Sequence, residues 1–323
     1  MKLRLAIAFA AVAAFAAVPA GAVTAPGATA TATGGKIAYT STWDGQADIY
    51  SIDASGKNVL NLTHDRTIGV RADVQPVWSP TGEFVAFERQ YTKAGAELMV
   101  VRADGRQLHP LLPSMARGFW FCHPSWSTSD VIFFTANQDG NFDLYSVSAT
   151  GKNLVQLTHT AAPVQNLGPS VSPDGRFVVF YRTGELPWGT AQLYRLDLKT
   201  GEEMRLAVNF RNYGDFDPVW SPDGTRIAFS SDRMGQNDIW MINTDGTGLV
   251  QVTYDPTSEV HPAFSPDGRQ LTFVSDRTGA TELFITATPP QPVVRPPTQL
   301  TFDGAVKANP SWHVSSPTGT GTP

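Results

Sequence analysis

A strand–turn–strand pattern recurs along this chain at nearly regular intervals. In the copy Asp217-Pro218-Val219-Trp220-Ser221-Pro222-Asp223-Gly224, a Pro-Asp-Gly turn follows an apolar stretch and leads into another. Pro fixes φ, Asp can hydrogen-bond its own backbone, and Gly accepts a positive φ. The six copies are led by Pro76, Pro124, Pro169, Pro218, Pro262 and Pro310. Their spacing ranges from 44 residues (Pro218 to Pro262) to 49 (Pro169 to Pro218), which indicates the four-stranded blades of a β-propeller.

The remainder of each repeat predicts three further strands. The second strand ends in an aromatic residue, the third opens as in Asp48-Ile49-Tyr50, and the fourth ends as in Leu62-Thr63. Six such sets begin near Ile37, but the six first strands begin near Pro76. We therefore predict an all-β, six-bladed β-propeller with four antiparallel strands per blade. The last strand, Pro310-Ser311-Trp312-His313, should pair with the first blade and close the ring, which removes two exposed sheet edges.

The N-terminal segment has the pattern of a signal peptide. A short basic region with Lys2 and Arg4 precedes an apolar stretch and the small residues Ala20-Gly21-Ala22. We predict a signal peptide at 1–22, a flexible linker at 23–34, the propeller at 35–314 and a disordered tail at 315–323. The protein is then periplasmic or secreted, with no transmembrane segment in its mature form. An uncleaved anchor is the alternative.

Charge and cysteine usage exclude some functions. The formal net charge is −5 and no basic run is present, so we do not expect nucleic acid as a partner. The single cysteine, Cys122, cannot form an internal disulfide, and its apolar surroundings predict a buried, unreactive thiol. We expect a monomer.

The repeat resembles that of a known family. Pro-x-Trp-Ser-Pro-Asp-Gly, a loop such as Asp232-Arg233-Met234-Gly235, and the Asp-Ile-Tyr and Leu-Thr strands are similar to the propeller of TolB proteins. The resemblance covers residues 35 to about 314. It implies six blades closed by the C-terminal strand, and a channel mouth that accepts the peptidoglycan-associated lipoprotein. TolB proteins carry an α/β domain before the propeller, whereas here the 23–34 tether stands in that place.

The residues before the repeat prolines are the main candidates for a site. We expect them to ring the channel mouth on the face that carries loops of unequal length, because binding sites are usually built from variable loops on a rigid scaffold. These residues are Gln75, His123, Gly168, Asp217, His261 and Asn309. By resemblance to the TolB family, His123, Asp217 and His261 should contribute to binding.

The same ring raises the question of a metal. His123 and His261 belong to the third and sixth blades and should lie across the ring from each other, too far apart to share one ion directly. Asp217 and His261 should be neighbours and could share a water molecule or a cation. We expect no cofactor and leave a divalent cation in the channel open. A hydrated polar lining without a ligand is the plainer interpretation.

Two atypical loops contain aromatic residues that could contact a partner. They hold Phe119, Trp120 and Trp188, which are either exposed anchors for a partner or plugs folded back over the blades. The repeated Trp78, Trp126, Trp220, Phe264 and Trp312 differ, because their periodicity marks them as wedges between blades.

These observations lead to a first functional hypothesis and two alternatives. The chain is expected to be an exported, non-enzymatic module of the cell envelope that binds a protein or peptide at its channel mouth. The second hypothesis is a metal-dependent lyase or hydrolase acting on a carbohydrate or lactone, with His123, Asp217 and His261 as ligands. The third is a general scaffold of the envelope.

Overall fold

The computed structural model describes residues 34–64, 68–92, 95–112, 118–185, 190–206, 213–289 and 296–313. The predicted signal peptide (1–22), the linker as far as residue 33 and the tail (315–323) lie outside these ranges. No helix within them is long and apolar enough to span a membrane.

The described residues form 24 strands in six four-stranded antiparallel sheets. The first half of the chain contains β1 (Lys36–Ser41), β2 (Asp48–Asp53), β3 (Leu60–Asn61), β4 (Val70–Trp78), β5 (Phe84–Tyr91), β6 (Ala96–Arg102), β7 (His109–Pro110), β8 (Phe121–Trp126), β9 (Val131–Ala136), β10 (Asp143–Ser148) and β11 (Val155–Gln156). The second half contains β12 (Gln165–Val171), β13 (Phe177–Thr183), β14 (Gln192–Asp197), β15 (Glu203–Arg205), β16 (Asp215–Trp220), β17 (Arg226–Ser231), β18 (Asp238–Asn243), β19 (Val250–Gln251), β20 (Glu259–Phe264), β21 (Gln270–Ser275), β22 (Glu282–Ala287), β23 (Thr298–Gln299) and β24 (Lys307–His313).

The sheets are the blades of a six-bladed propeller. Blade 1 has the strand order β24-β1-β2-β3, and blades 2 to 6 follow as β4–β7, β8–β11, β12–β15, β16–β19 and β20–β23. The inner strand of blade 1 therefore comes from the C-terminus. It pairs antiparallel with β1, placing Ile37 opposite Trp312 and Lys36 opposite His313. The predicted all-β fold and ring closure are confirmed.

Large side chains at repeated positions fill the spaces within and between blades. The aromatic residue of each second strand is fully buried: these are Tyr39, Phe87, Phe134, Phe180, Phe229 and Phe273. Four of the five predicted wedges are core residues too, whereas Trp126 is half-buried. Trp220 is buried and its Nε1 donates to the backbone oxygen of Ser170 in the preceding blade at 2.9 Å. Trp78 makes the matching bond to Ser311 at 3.1 Å, so these two wedges join neighbouring blades by hydrogen bonding as well as by packing, whereas Trp126 bonds within its own blade to Asp130.

The recurring Asp and Leu-Thr elements form one local hydrogen-bonded motif. In blade 3, the Thr158 hydroxyl donates to Asp143 at 2.7 Å and accepts from the backbone N–H of Leu144 at 3.0 Å. Thr63 and Thr253 accept equivalent backbone bonds from Ile49 and Ile239. The pairing attaches the connection that follows the short fourth strand to the start of the third. These residues therefore maintain the blade rather than a ligand site.

The position of the repeat prolines differs from the sequence-based prediction. They do not open the inner strands, which begin earlier, as β16 does at Asp215 before Pro218. Each proline instead lies in a β-bulge: Phe216 and Val219 are paired with β17, while Asp217 and Pro218 between them are not. A proline has no N–H to donate, so a bulge is one of the few places where an inner strand accepts it. The prediction of strand-opening prolines was wrong for this reason.

Candidate functional site

The six ring candidates occupy one equivalent position on the inner strands. All have left-handed backbone with φ between 49° and 60°, in the order Gln75, His123, Gly168, Asp217, His261 and Asn309. Left-handed backbone is unfavourable for residues other than Gly, Asn and Asp, and its repetition reflects the bulge before each proline. Because the inner strands surround the central channel, these residues lie along its wall and not in the turns at its rim.

A second set of buried residues supports this wall. Each follows the core aromatic of a second strand, in the order Thr40, Glu88, Thr135, Tyr181, Ser230 and Val274, and all are buried. The Ser230 hydroxyl accepts from the backbone N–H of His261 at 3.1 Å, and the Thr135 hydroxyl from that of Gly168 at 3.2 Å. Blades 3 and 5 thus support the bulges of blades 4 and 6, whereas the Thr40 hydroxyl has no partner among the described residues and Val274 has no polar group.

Glu88 is the only carboxylic acid in this second set. Burial raises its pKa to about 8, opposed by hydrogen bonds from the Gln90 side chain at 2.8 Å and from the backbone N–H of His123. Glu88 is therefore largely protonated at neutral pH. The backbone N–H of His123 also donates to Gln75 Oε1 at 2.8 Å, which joins the bulges of blades 2 and 3.

His123 presents a neutral imidazole to the channel cluster. Burial lowers its pKa to about 4, although the charge of Asp217 acts in the opposite direction. Its ring makes an edge contact with Tyr181 at 6.4 Å between centroids. Its Nδ1 atom is buried and has no hydrogen-bond partner among the described residues, and the same holds for Nδ1 of His261. These two buried ring nitrogens therefore have unsatisfied hydrogen-bonding capacity, although both atoms are closed to solvent in this structure.

Gly168 and Tyr181 explain the break in the polar ring. A Cβ atom at Gly168 would lie 2.7 Å from the Tyr181 ring, so the missing side chain leaves room for the phenol. The phenol ring of Tyr181 fills this space and also packs edge-on against Phe216, with the two ring centroids 5.7 Å apart. Burial raises the pKa of Tyr181 well above its ordinary value, so its hydroxyl stays protonated.

Asp217 and His261 form the closest pair of candidate residues. Asp217 Oδ2 lies 3.7 Å from His261 Nε2, across the boundary between blades 5 and 6. His123 is near enough for its pKa to respond to both residues. Nevertheless, the ligand atoms of these three side chains do not all lie within 4.8 Å of one another, so in the described structure they do not form a preassembled three-ligand metal site. Asn309 occupies the matching position in blade 1.

One group of potential metal ligands does lie outside the channel. The ligand atoms of Asp48, at the start of β2, and of Asp44 and His64, in the loops of blade 1, lie within 4.8 Å of one another. Asp44 also accepts from the Tyr50 hydroxyl at 2.7 Å, and both carboxylates accept from Asn61. His64 is largely exposed.

The predicted aromatic anchors do not stand out as a free surface. Phe119 and Trp120 are half-buried: Phe119 packs against the core cluster of blades 2 and 3, and Trp120 against the cluster that extends from blade 3 through blades 4 and 5. Their backbone is held as well, since Phe119 accepts from Ala96 at 3.0 Å and Trp120 donates to Asn137 at 2.7 Å. Of the two alternatives for these residues, the folded-back plug agrees with this packing. Trp188 lies outside the described residues.

Other exposed aromatic residues were missed by the sequence reasoning. Trp43, Tyr254 and Phe302 expose 51%, 66% and 40% of their surface. The signal was available, because Tyr254 and Phe302 directly follow the Val-Thr and Leu-Thr pairs that end blades 5 and 6. The residue after such a Val-Thr or Leu-Thr pair is the first of an exposed connection between blades, so an aromatic side chain at that position has no core to pack against.

Buried Cys122 agrees with the expectation of an unreactive thiol. Its side chain is 1% exposed, and burial raises the pKa of the thiol well above its ordinary value. The Sγ atom lies 3.7 Å from the backbone oxygen of Thr135. A protonated and enclosed thiol is a poor nucleophile.

Comparison with known proteins supports a TolB-type propeller. A model of the TolB beta propeller domain matches residues 167–320. The "Protein TolB homolog" of Chlorobium luteolum is 30% identical over 215 residues, which are 67% of this chain and 46% of that protein. The crystal structure of TolB from Acinetobacter baumannii superposes with a TM-score of 0.70 at 19% identity, covering 87% of this chain and 67% of the other.

A second kind of protein shares the fold. An oligogalacturonate lyase in complex with manganese superposes with a TM-score of 0.52 at 22% identity, covering 70% of this chain and 64% of the lyase. At such identities, likeness to either structure shows the fold alone. The chain spans about half the length of the Chlorobium luteolum TolB homologue.

Proposed function

We propose that this chain, which carries a TolB-type six-bladed β-propeller, is a non-enzymatic module of the cell envelope that binds a protein or peptide segment at the mouth of its channel. The proposal concerns the propeller itself, and the activity of the full-length relatives is not transferred to it.

The unpartnered ring nitrogens of His123 and His261 are the observation that carries this proposal. Both are buried beside the channel, and neither has a hydrogen-bond partner among the described residues. Leaving a buried polar atom unsatisfied costs free energy, roughly 1–3 kcal/mol, which a bond to a water molecule or to an inserted ligand would recover. With the adjacent Asp217 carboxylate, this part of the wall can accept hydrogen bonds from an inserted segment.

The envelope location and the type of partner rest on other grounds. The predicted signal peptide at 1–22 would export the chain to the periplasm or beyond it. Resemblance to TolB proteins makes an envelope protein the expected partner, with the peptidoglycan-associated lipoprotein as the first candidate. We expect the propeller to bind it as a monomer.

The enzymatic alternative has less support. It requires a divalent cation held by His123, Asp217 and His261, and these described side chains do not converge into one ligand set. The manganese-bound lyase contributes similarity of fold only. Metal analysis of the purified mature protein, together with assays on oligogalacturonate and lactones, decides between the two hypotheses. Stoichiometric metal and turnover that both disappear in His261→Asn would favour the enzyme.

The direct test of the binding proposal is capture of the partner in the envelope. The mature protein is crosslinked in its native envelope, and the captured protein is identified and purified. Its affinity is then measured for wild type and for variants of the channel wall. Asp217→Asn and His261→Asn suit this purpose because Asn tolerates left-handed backbone better than most residues, so the bulge is retained while the side-chain chemistry changes.

A further inference from the structure

Exposed large apolar side chains concentrate on one part of the loop-bearing face. On this face, the exposed large apolar residues among the described ones lie in loops between the second and third strands or in connections between blades. All of them belong to blades 5, 6 and 1 or to the connection that leaves blade 1. They are Trp43, Ile68, Met234, Tyr254 and Phe302. Other exposed large apolar residues lie on or beside the short outer strands, as Leu154 and Val250 do. The face therefore has an apolar sector.

Hydrogen bonds link the loops of this sector into one surface. The backbone N–H of Thr42 donates to Val306 oxygen at 3.1 Å, and the N–H of Val306 donates to the Thr42 hydroxyl at 3.1 Å, which joins the Trp43 loop to the Phe302 connection. The backbone N–H of Lys307 donates to Thr281 in the adjoining loop of blade 6. These bonds make the blade 6 and blade 1 loops neighbours with fixed positions.

The Tyr254 connection is attached to the same loops. Arg277, in the blade 6 loop, lies 3.6 Å from the Asp255 carboxylate, and Gln236 of blade 5 donates to the backbone oxygen of Asp255 at 3.4 Å. The sector therefore continues from blade 5 through blade 6 to blade 1.

Each of the three exposed aromatic residues in the sector is followed by an aspartate. We name the pairs Trp43-Asp44, Tyr254-Asp255 and Phe302-Asp303 the aromatic–acid arc. The cations that neutralise this region lie underneath: the side chains of Arg277 and Lys307 are 17% and 0% exposed, and that of Arg233 is 8% exposed. Asp44 is exposed, and Asp255 and Asp303 are half-buried. Asp255 and Asp303 pair with Arg277 and Lys307, yet the carboxylates reach the surface beside aromatic rings while these three positive charges lie mostly beneath it. Exposed Arg71, three residues after Ile68, lies outside the arc.

We propose that the aromatic–acid arc binds a segment of a partner protein in which Lys or Arg alternates with apolar side chains. The inference rests on the proposed binding function and adds the surface and the chemistry of the partner. A cation above an exposed Trp, Tyr or Phe ring gains a cation–π contact, and the neighbouring Asp adds a charge-assisted hydrogen bond. Apolar side chains of the segment cover the rest of the rings. Negative surface charge repels nucleic acids and anionic lipid headgroups and attracts a basic segment.

The test uses the mature full chain and a synthetic fluorescent peptide in which Lys alternates with Leu and Phe. A second peptide with Glu in place of every Lys is the charge control. At an ionic strength of about 0.15 M, where distant surface charges are screened, fluorescence anisotropy should give a dissociation constant at least tenfold lower for the Lys peptide. Trp43→Ala, Tyr254→Ala and Phe302→Ala should each weaken its binding by roughly tenfold. The matched variants Leu154→Ala and Val155→Ala remove exposed apolar residues of blade 3 and should leave it unchanged.

Several results would overturn the proposal that the arc binds such a segment. They are equal binding of the two peptides, no binding of either, and equal effects of the arc and control variants. A concentration-dependent dimer that Phe302→Ala abolishes would show that a second copy occupies the surface instead. With the captured envelope partner, loss of affinity in Asp217→Asn but not in the arc variants would reject the arc and keep the channel function. No effect in either set would reject both.

Discussion

The Asp217 carboxylate lies 3.7 Å from Nε2 of His261, so the bulges of blades 5 and 6 meet through their side chains at the channel wall. Both residues have left-handed backbone, and both precede a proline that lies in a bulge. The repeat that builds the fold therefore also places the candidate side chains. A change in one bulge residue alters the channel chemistry without altering a core position.

Removal of the last inner strand should destabilise the protein severely. A chain that ends before Ala308 lacks most of β24, including Trp312, and leaves β1 with an unpaired edge. Trp312 is 9% exposed and packs in the cluster between blades 6 and 1, and loss of one buried Trp alone costs about 3–5 kcal/mol. We expect aggregation or a large fall in melting temperature, measured by thermal unfolding. A chain that ends after Ser315 is the control and should melt like wild type. Equal melting of both truncations would contradict latched closure.

Glu88→Gln should change how stability depends on pH. The folded-state pKa of Glu88 is raised from 4.5 to about 8 by burial, so the folded state keeps a proton that the unfolded state releases. The associated stability is fully present below about pH 4.5 and is lost as the pH rises through about 8. Denaturant unfolding across this range should show wild type losing several kcal/mol of stability relative to Glu88→Gln. The loss is about 1.4 kcal/mol for each pH unit by which the folded-state pKa exceeds the unfolded-state pKa.

Glu83→Gln is the matched control for that experiment. Glu83 is an exposed acid near the start of the same strand, so its replacement should leave the pH profile of wild type unchanged. Parallel profiles for wild type and Glu88→Gln would mean that Glu88 is ionised in the folded protein at neutral pH.

Gly168→Ala should cost more stability than Gly175→Ala. Both glycines have positive φ, 60° and 72°, so both substitutions carry backbone strain. Only at Gly168 would the new Cβ meet a side chain, 2.7 Å from the Tyr181 ring, whereas nothing lies within 4 Å at Gly175. We expect Gly168→Ala to lose about 1–3 kcal/mol more stability than Gly175→Ala, measured by urea unfolding. Equal losses would show that the ring moves away without cost.

The sequence predicted the architecture well because the repeat encodes it. The 44- to 49-residue spacing, the wedge tryptophans and the surplus strand at Trp312 led to six blades closed by β24. The bulges were missed, although a proline inside a strand is itself a sign of one. That error moved the ring residues from the channel wall to its rim in the prediction.

The candidate site was predictable only in part. The sequence pointed to His123, Asp217 and His261 through their shared place before a proline, and it placed Asp217 beside His261. It did not point to Glu88, because one acid after Phe87 has no unusual local pattern; its effect on the channel arises from burial between blades. Neither could sequence show that Phe119 and Trp120 fold back onto the blades, because that depends on long-range packing.

The most direct measurement is the affinity of the captured envelope partner for four variants. Asp217→Asn and His261→Asn change the channel wall, and Lys57→Ala and Lys152→Ala change exposed residues in turns on the opposite face. Because hydrogen bonds to charged groups contribute about 1.5–3 kcal/mol and other hydrogen bonds about 0.5–1.5 kcal/mol, Asp217→Asn should raise the dissociation constant by about tenfold or more, and His261→Asn by a smaller factor of at least about twofold. The lysine variants should match wild type. Equal affinity for all four variants, or loss caused by the lysine changes alone, would contradict binding at the channel mouth.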